Sequence, residues 1–517
     1  MSPVLAAAKA QAPHIDWAGL SPLLALLGGA TIVLLAGLIR GRAARHHLVP
    51  LLSVVSFGAA IGCALWQWNE RGSLIEGALA LDPLTLLVVL IVGAAGIATT
   101  LLAWRDQAAR EIAHGEFFSL LLTSAAGMVV LGAAQNLVST FVGLELLSLP
   151  LYILCASLVR RESSLESGLK YLIIGSVGSA TLLYGFALIY GATGATDYGR
   201  IAQQLVRKGL SGDVLVLTGI GMTIVGLAFK ASLAPFHQWT PDVYEGAPTP
   251  VTGYMSVATK IAAFAVIIRL FDVALIPAVD DWRPVWIAIA VISILIGNVG
   301  ALGQSSLKRM LAYSSIAQAG YILAGFVVVT QLGIQAVLFY LAVYLFANMA
   351  AFAVVTLRER ETSEGDDLAA MRGLGAQRPL TALAMTLAML SLAGIPATAG
   401  FMGKFRLIEA TADGGYTWLG IVIVIGSMIS LAYYLPVIAA MWRDEAQPAP
   451  AQPGIDPATG RAALAGAAPE ADAPGSGGWE TQLVALVMGV AILFFGIVPQ
   501  PLFDLVQHAA AGILGLR

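Results

Sequence analysis

Apolar residues along this chain gather in blocks of about twenty, separated by short polar stretches, and a helix of that length crosses a hydrocarbon layer about 30 Å thick. About fourteen such blocks are legible, at 20–39, 49–66, 84–104, 117–134, 137–159, 165–190, 213–239, 251–271, 285–302, 307–330, 332–357, 380–407, 418–441 and 482–502. The pattern predicts an all-α polytopic membrane protein. Two blocks are interrupted where a helix prefers to continue, at Leu233-Ala-Pro235-Phe and at Leu392-Ala-Gly394-Ile-Pro396-Ala-Thr-Ala-Gly400. Irregular backbone at membrane depth survives only beside protein or a water-filled cavity.

Spans four to eight (117–271) and nine to thirteen (285–441) form two blocks of five. Five is odd, so the second block starts on the opposite side of the membrane, and in both the broken span is the fourth. This is the inverted-repeat arrangement of secondary transporters. The expected organisation is a three-helix segment at 1–116, two inverted five-helix repeats at 117–271 and 285–441, a flexible linker at 442–480 and a C-terminal helix at 481–517. The linker, rich in Ala, Pro and Gly, is expected to be mobile and without function.

Composition agrees with the pattern: 58% of the 517 residues are hydrophobic and 11% charged. A water-facing shell cannot be built from so few charges. The net charge of −3 gives no field for nucleic acid, and two cysteines, Cys63 and Cys155, set in apolar runs imply neither a disulfide frame nor a metal site. The opening segment shows no signal-peptide or transit-peptide pattern. Loops after odd-numbered spans hold 15 Lys and Arg, against 8 on the other side, which places both termini outward by the positive-inside rule. Five of the 28 basic residues remain, all within spans: Lys170, Lys230, Lys260, Lys404 and Arg406.

Those five carry the candidate chemistry. Lys260 stands about 14 Å from either end of its span at 1.5 Å per residue, beyond the reach of a lysine stem to the interface. Its amine must be paired, hydrated or neutral, and each condition suits a proton path; the alternative is a structural lysine on backbone carbonyls. Lys230 precedes the first break, and Glu145 is the only acid deep in its span. Were they to pair at 4 Å, the attraction at an effective dielectric of 20 is about 4 kcal/mol, enough to matter against the roughly 2.3 kcal/mol needed to lift a proton through 100 mV. A helix-bonding carboxylate is the plainer reading of Glu145. Lys404 follows the second break and is too deep for a surface charge, whereas Arg406 suits the interface. Glu166 and Lys170 are four apart on one helix face, a spacing that also gives ordinary ion pairs. His237 has the chemistry of a proton relay near neutrality, or of a satisfied hydrogen-bonding residue. Tyr313, Ser314, Ser315 and Gln318 either order water between the lysines or bond neighbouring helices. Neither a dinucleotide fingerprint nor a P-loop is present, so no redox chemistry is expected of this chain itself.

Three stretches carry a resemblance: Phe141-Val-Gly-Leu-Glu145-Leu-Leu-Ser-Leu-Pro-Leu-Tyr152; Lys230-Ala-Ser-Leu-Ala-Pro235 through Trp239-Thr-Pro-Asp-Val-Tyr-Glu-Gly-Ala-Pro-Thr-Pro250; and Ser391 through Gly403-Lys404-Phe405. With them the chain resembles the antiporter-like subunits of proton-pumping NADH:quinone oxidoreductase, respiratory complex I, and subunit N above all. Leu307-Lys-Arg-Met-Leu-Ala-Tyr-Ser-Ser315 is shared more widely, including with cation/proton antiporter subunits. The resemblance implies Glu145 and Lys230 as the acid–lysine pair, Lys260 as the central lysine, Lys404 as the lysine of the second broken helix, and Glu166 and Lys170 as a second pair. One departure is Ala397, where a second proline is common, which suggests a softer second break. It further implies a bacterial inner-membrane location, with partners in subunits M and L, the small subunits K, J, A and H, and a peripheral arm. FMN, iron–sulfur clusters and quinone belong to those other subunits, and no cofactor is expected here. The expected function is proton translocation as a non-redox subunit of the oxidoreductase. The alternatives are a subunit of a multi-subunit cation/proton antiporter and a structural membrane subunit whose lysines are relics.

Overall fold

The computed structural model describes residues 15–39, 41, 44–443, 464 and 478–514. The expected 442–480 linker and both chain ends fall mostly outside the described residues. The helices are α1 (Ser21–Gly37), α2 (Val49–Trp66), α3 (Pro83–Ala103), α4 (Gln107–Glu111), α5 (His114–Ala133), α6 (Leu137–Cys155) and α7 (Glu162–Thr193). Then follow α8 (Tyr198–Lys208), α9 (Val214–Lys230), α10 (Trp239–Gly246), α11 (Thr249–Arg269), α12 (Val279–Ala301), α13 (Leu307–Phe326) and α14 (Gln331–Glu361). The last are α15 (Leu374–Gln377), α16 (Pro379–Ala393), α17 (Ala399–Asp413), α18 (Thr417–Trp442), α19 (Trp479–Ile497) and α20 (Gln500–Leu514).

Every expected span coincides with a helix or a broken pair. Among the described residues nine helices are long and apolar enough to cross a membrane unaided. Of the others, α1 and α9 have 17 residues each and α16 has 15, while α11 and α13 carry lysine and hydroxyl side chains inside the bundle. The C-terminal segment expected as one helix is two, because α19 ends at Ile497, Val498 before Pro499 is disfavoured in helix, and the chain restarts at Gln500. A hairpin of β1 (Gly72–Leu74) and β2 (Leu79–Leu81), unforeseen in the sequence, caps one end.

Burial orders the bundle. All of α11 is buried, and nearly all of α13 and α14, so these form its axis. By contrast α7 turns Leu169, Ile173 and Val177 outward, and α18 turns out Ile421, Val424 and Met428. Apolar side chains facing outward at mid-helix suit a hydrocarbon surrounding. Side-chain caps fix several starts: Asn136 accepts from Ser139 N, Asp197 from Arg200 N, Ser306 from Arg309 N and Asp367 from Ala369 N. The same residues pair as backbone bridges, Asn136 with Asp197 and Ser306 with Asp367, the partners being 61 residues apart in each case.

Candidate intramembrane proton-transfer site

The three deep lysines sit at three local structures that their sequences impose. Lys230 is the last residue of α9, before an irregular stretch at 231–238 in which Ser232 adopts a positive φ. Lys260 lies in mid-helix on the fully buried α11. Lys404 lies on α17, just past a break at 394–398 where Gly394 takes φ +86° and closes α16 with a left-handed cap. All three side chains are buried.

Each amine meets hydroxyl or carbonyl oxygen. Lys230 Nζ donates to Ser148 Oγ at 2.8 Å and to Tyr171 OH at 3.0 Å. Ser148 passes its own hydrogen to Leu144 O, leaving its oxygen free to accept. Glu145, one turn before Ser148 on α6, is not in contact with Lys230: no ion pair joins them among the described residues, and Glu145 Oε1 is buried without a hydrogen-bond partner. The expected acid–lysine contact is thus not made, and Lys230 bonds instead to Ser148 and Tyr171. Lys260 Nζ donates to Ser315 Oγ at 2.6 Å. Lys404 Nζ donates to Leu392 O at 2.8 Å and Ala393 O at 3.1 Å and stands 4.8 Å over the Tyr321 ring. Those carbonyls end α16, where unbonded C=O groups concentrate negative charge and suit a cation.

Between Lys260 and Lys404 runs a string of polar groups. Ser314, beside Ser315, hydrogen-bonds the Tyr434 hydroxyl. Gln318 reaches Tyr434 OH at 3.4 Å and donates to Leu392 O at 3.0 Å, so it shares that carbonyl with Lys404. Tyr340 donates to the Gln318 carbonyl oxygen. Tyr313 stands apart from this string, its ring against Gly300 on α12.

The remaining candidates lie elsewhere. Glu166 and Lys170 form a half-exposed ion pair at 2.7 Å, and Lys170 also reaches Asp242 at 3.0 Å. Arg406 pairs with Glu409 at 2.7 Å and lies over the Phe503 ring, as suits an interfacial residue. His237 stands half-buried in the first break, and no hydrogen bond among the described residues ties it to Lys230. Sequence reasoning missed Ser148, Tyr171 and Tyr434. The one available signal was that Ser148 follows Glu145 by three residues on one helix face.

Comparison with known proteins adds to this geometry. Residues 134–430 match the family described as NADH:quinone oxidoreductase/Mrp antiporter, transmembrane. NADH-quinone oxidoreductase subunit N 1 of Herpetosiphon aurantiacus is 40% identical over 445 residues, 85% of this chain and 90% of that one. Subunit N of Salinispora arenicola is 37% identical over 532 residues, covering 96% and 98%. Among solved structures, a chain of respiratory complex I from Thermus thermophilus with bound aureothin superposes with a TM-score of 0.75 at 32% identity, covering 93% of this chain and 98% of that one. A chain of the Mrp complex from Dietzia sp. DQ12-45-1b superposes with a TM-score of 0.80 at 25% identity, covering 96% and 97%.

Proposed function

The chain belongs to the NADH-quinone oxidoreductase subunit N family, and from that premise we propose that its buried lysines pass protons across the membrane while electrons move elsewhere in the complex. The observation that carries this reading is the choice of partners: Lys230 and Lys260 bond to Ser and Tyr hydroxyls, and Lys404 shares the Leu392 carbonyl with Gln318, with none of the three held by a carboxylate among the described residues. A structural lysine in a dry bundle gains most from a carboxylate that neutralises it. Hydroxyl partners, which can both accept and donate, instead leave the amine at rest able to take or release a proton without breaking an ion pair.

In this reading Lys230 Nζ alternates between Ser148 and the carboxylate of Glu145. Swinging toward Glu145 holds the proton on Lys230, and swinging back to Ser148 favours its release toward Lys260. Ser315, Ser314 and Tyr434 lead from Lys260 to the end of α16, and Lys404 delivers the proton outward. Lys170 and His237 stand outside this line. The two 61-residue cap-to-cap bridges and the two broken helices support a duplicated five-helix unit of opposite orientation. The proposed partners are the neighbouring membrane-arm subunits, M and L with the smaller K, J, A and H, and the peripheral arm. FMN, iron–sulfur clusters and quinone then reside in those subunits, in a bacterial inner membrane. The antiporter reading has less support, since the curated relatives named above are oxidoreductase subunits.

The test is proton pumping by the assembled complex in liposomes. Lys260→Ala and Lys404→Ala are each expected to lower pumping and coupled NADH:quinone turnover at least about tenfold, as loss of an obligatory transfer group does, with NADH:ferricyanide activity unchanged. Normal pumping by the complex carrying both replacements sinks the proposal.

A further inference from the structure

The short helix α10 lies between two of the deep lysines. Its first residue, Trp239, stacks on Tyr171 with ring centroids 4.7 Å apart and planes 11° from parallel. Tyr171 accepts from Lys230, and Trp239 Nε1 donates to Phe229 O, the carbonyl next to Lys230. At the other end of α10 the Tyr244 hydroxyl neighbours Ser315, which accepts from Lys260. Eight residues are too few to hold a helix in place by themselves, so neighbours must seat it.

The polar face of α10 shows what seats it. Asp242 Oδ2 accepts from Lys170 of α7 at 3.0 Å, and Oδ1 accepts from Arg309 of α13 at 2.7 Å. One carboxylate therefore ties helices from both halves of the chain. Lys170 also adjoins Tyr171 in sequence, so one turn of α7 grips α10 from outside by its charge and from inside by its ring. We infer that Asp242 is a positioning residue, clasped by Lys170 and Arg309, that seats α10 and thereby sets the hydrogen bonding of Lys230.

A stability role makes a poor alternative. These groups are 30–39% exposed, where ion pairs contribute little. Removing the Asp242 charge also strands neither cation: Lys170 keeps Glu166 at 2.7 Å, and Arg309 keeps Glu245 at 2.7 Å, which leaves α10 tied to α13 and cuts its tie to α7. The fold should tolerate the loss while the register of α10 against Tyr171 of α7 does not. The inference rests on Lys230 acting in the proton path.

The experiment uses the whole complex in liposomes, with quinone turnover and proton uptake measured per flavin. Asp242→Asn should lower both about threefold or more, since small misplacement of a transfer group is costly, and Asp242→Glu should restore most of the loss. Lys170→Met, a milder cut at the same carboxylate, should fall between wild type and Asp242→Asn. Tyr171→Phe should be impaired alone, and Asp242→Asn added to it should cost nothing more, because both act through Lys230. Wild-type turnover in Asp242→Asn overturns the clasp, as do multiplying effects in the double variant. Should Asp242→Asn not assemble, wild-type turnover in Lys170→Met overturns it instead. Lys230→Ala, run in parallel, separates the premises: pumping retained there sinks the proton path itself, whereas pumping lost there but intact in Asp242→Asn sinks only the clasp.

Discussion

Deep lysines were legible from sequence because a charge in an oily block stands out against every neighbour. Their partners were not, because serine and tyrosine are ordinary in membrane helices and nothing local says which of them a distant amine will meet. Lys230 illustrates both: its depth was readable, but its contacts come from α6 and α7, 82 and 59 residues earlier. Gly394 offers a test at this scale. It takes φ +86°, where a side chain costs about 1–2 kcal/mol, and an added Cβ would lie 2.9 Å from Lys404 Cδ. Gly415 has nearly the same φ, +82°, but open space around it. Gly394→Ala and Gly415→Ala therefore carry similar backbone strain, and only the first disturbs a lysine. Coupled quinone turnover per flavin should fall several-fold, about threefold or more, in Gly394→Ala and hold in Gly415→Ala. Equal losses in the two would show that strain alone matters.

At the scale of elements, both breaks were readable from proline and glycine in otherwise continuous apolar runs. The second holds a surprise: Ala397 takes φ +67°, which a proline ring forbids. This break therefore has a geometry that a second proline at 397 could not share. The lock on α11 was hidden, because its two halves lie in different helices. Arg269, at the end of α11, donates through both terminal nitrogens to Asp82, which caps α3, and through Nε to Gly132 O of α5. Burial alone would raise the Asp82 carboxyl, but the Arg269 charge and the hydrogen bonds from Arg269 and Thr85 outweigh it and hold it below its usual value. A folded value below the unfolded one gives stability that is present above the unfolded value, near 4, and is lost as pH falls through the folded value. Breaking a buried pair costs about 3–5 kcal/mol, so Asp82→Asn should lower the thermal midpoint of the purified complex. The gap from wild type should stay constant between about pH 6 and pH 8, where Asp82 remains ionised throughout. A gap that closes within that window would mean the carboxylate is not held by Arg269.

On the scale of the whole molecule, the excess of Lys and Arg on one side finds structural company. Arg105 pairs with Glu480, Arg360 with Asp106 and Arg378 with Glu361, which gathers the loops after α3 and α14 and the starts of α16 and α19 at one end. The opposite end holds the hairpin, the Arg269–Asp82 lock and α20, whose His508 stacks on Trp68 at 5.5 Å just past α2. If the basic loops are retained on the inner side, α20 is expected to lie outward. With an even number of crossings the amino terminus is expected on the same face. A fluorescent protein that matures only in the cytoplasm, fused after Arg517, should stay dark, and a phosphatase that folds only outside should be active there. Moving the same pair of reporters to a truncation after Arg443, inside by this reckoning, should reverse both signals. Fluorescence from the full-length fusion would invert the molecule, and with it the direction assigned to Lys404, since the end of α16 that holds it would then face proton uptake instead of release.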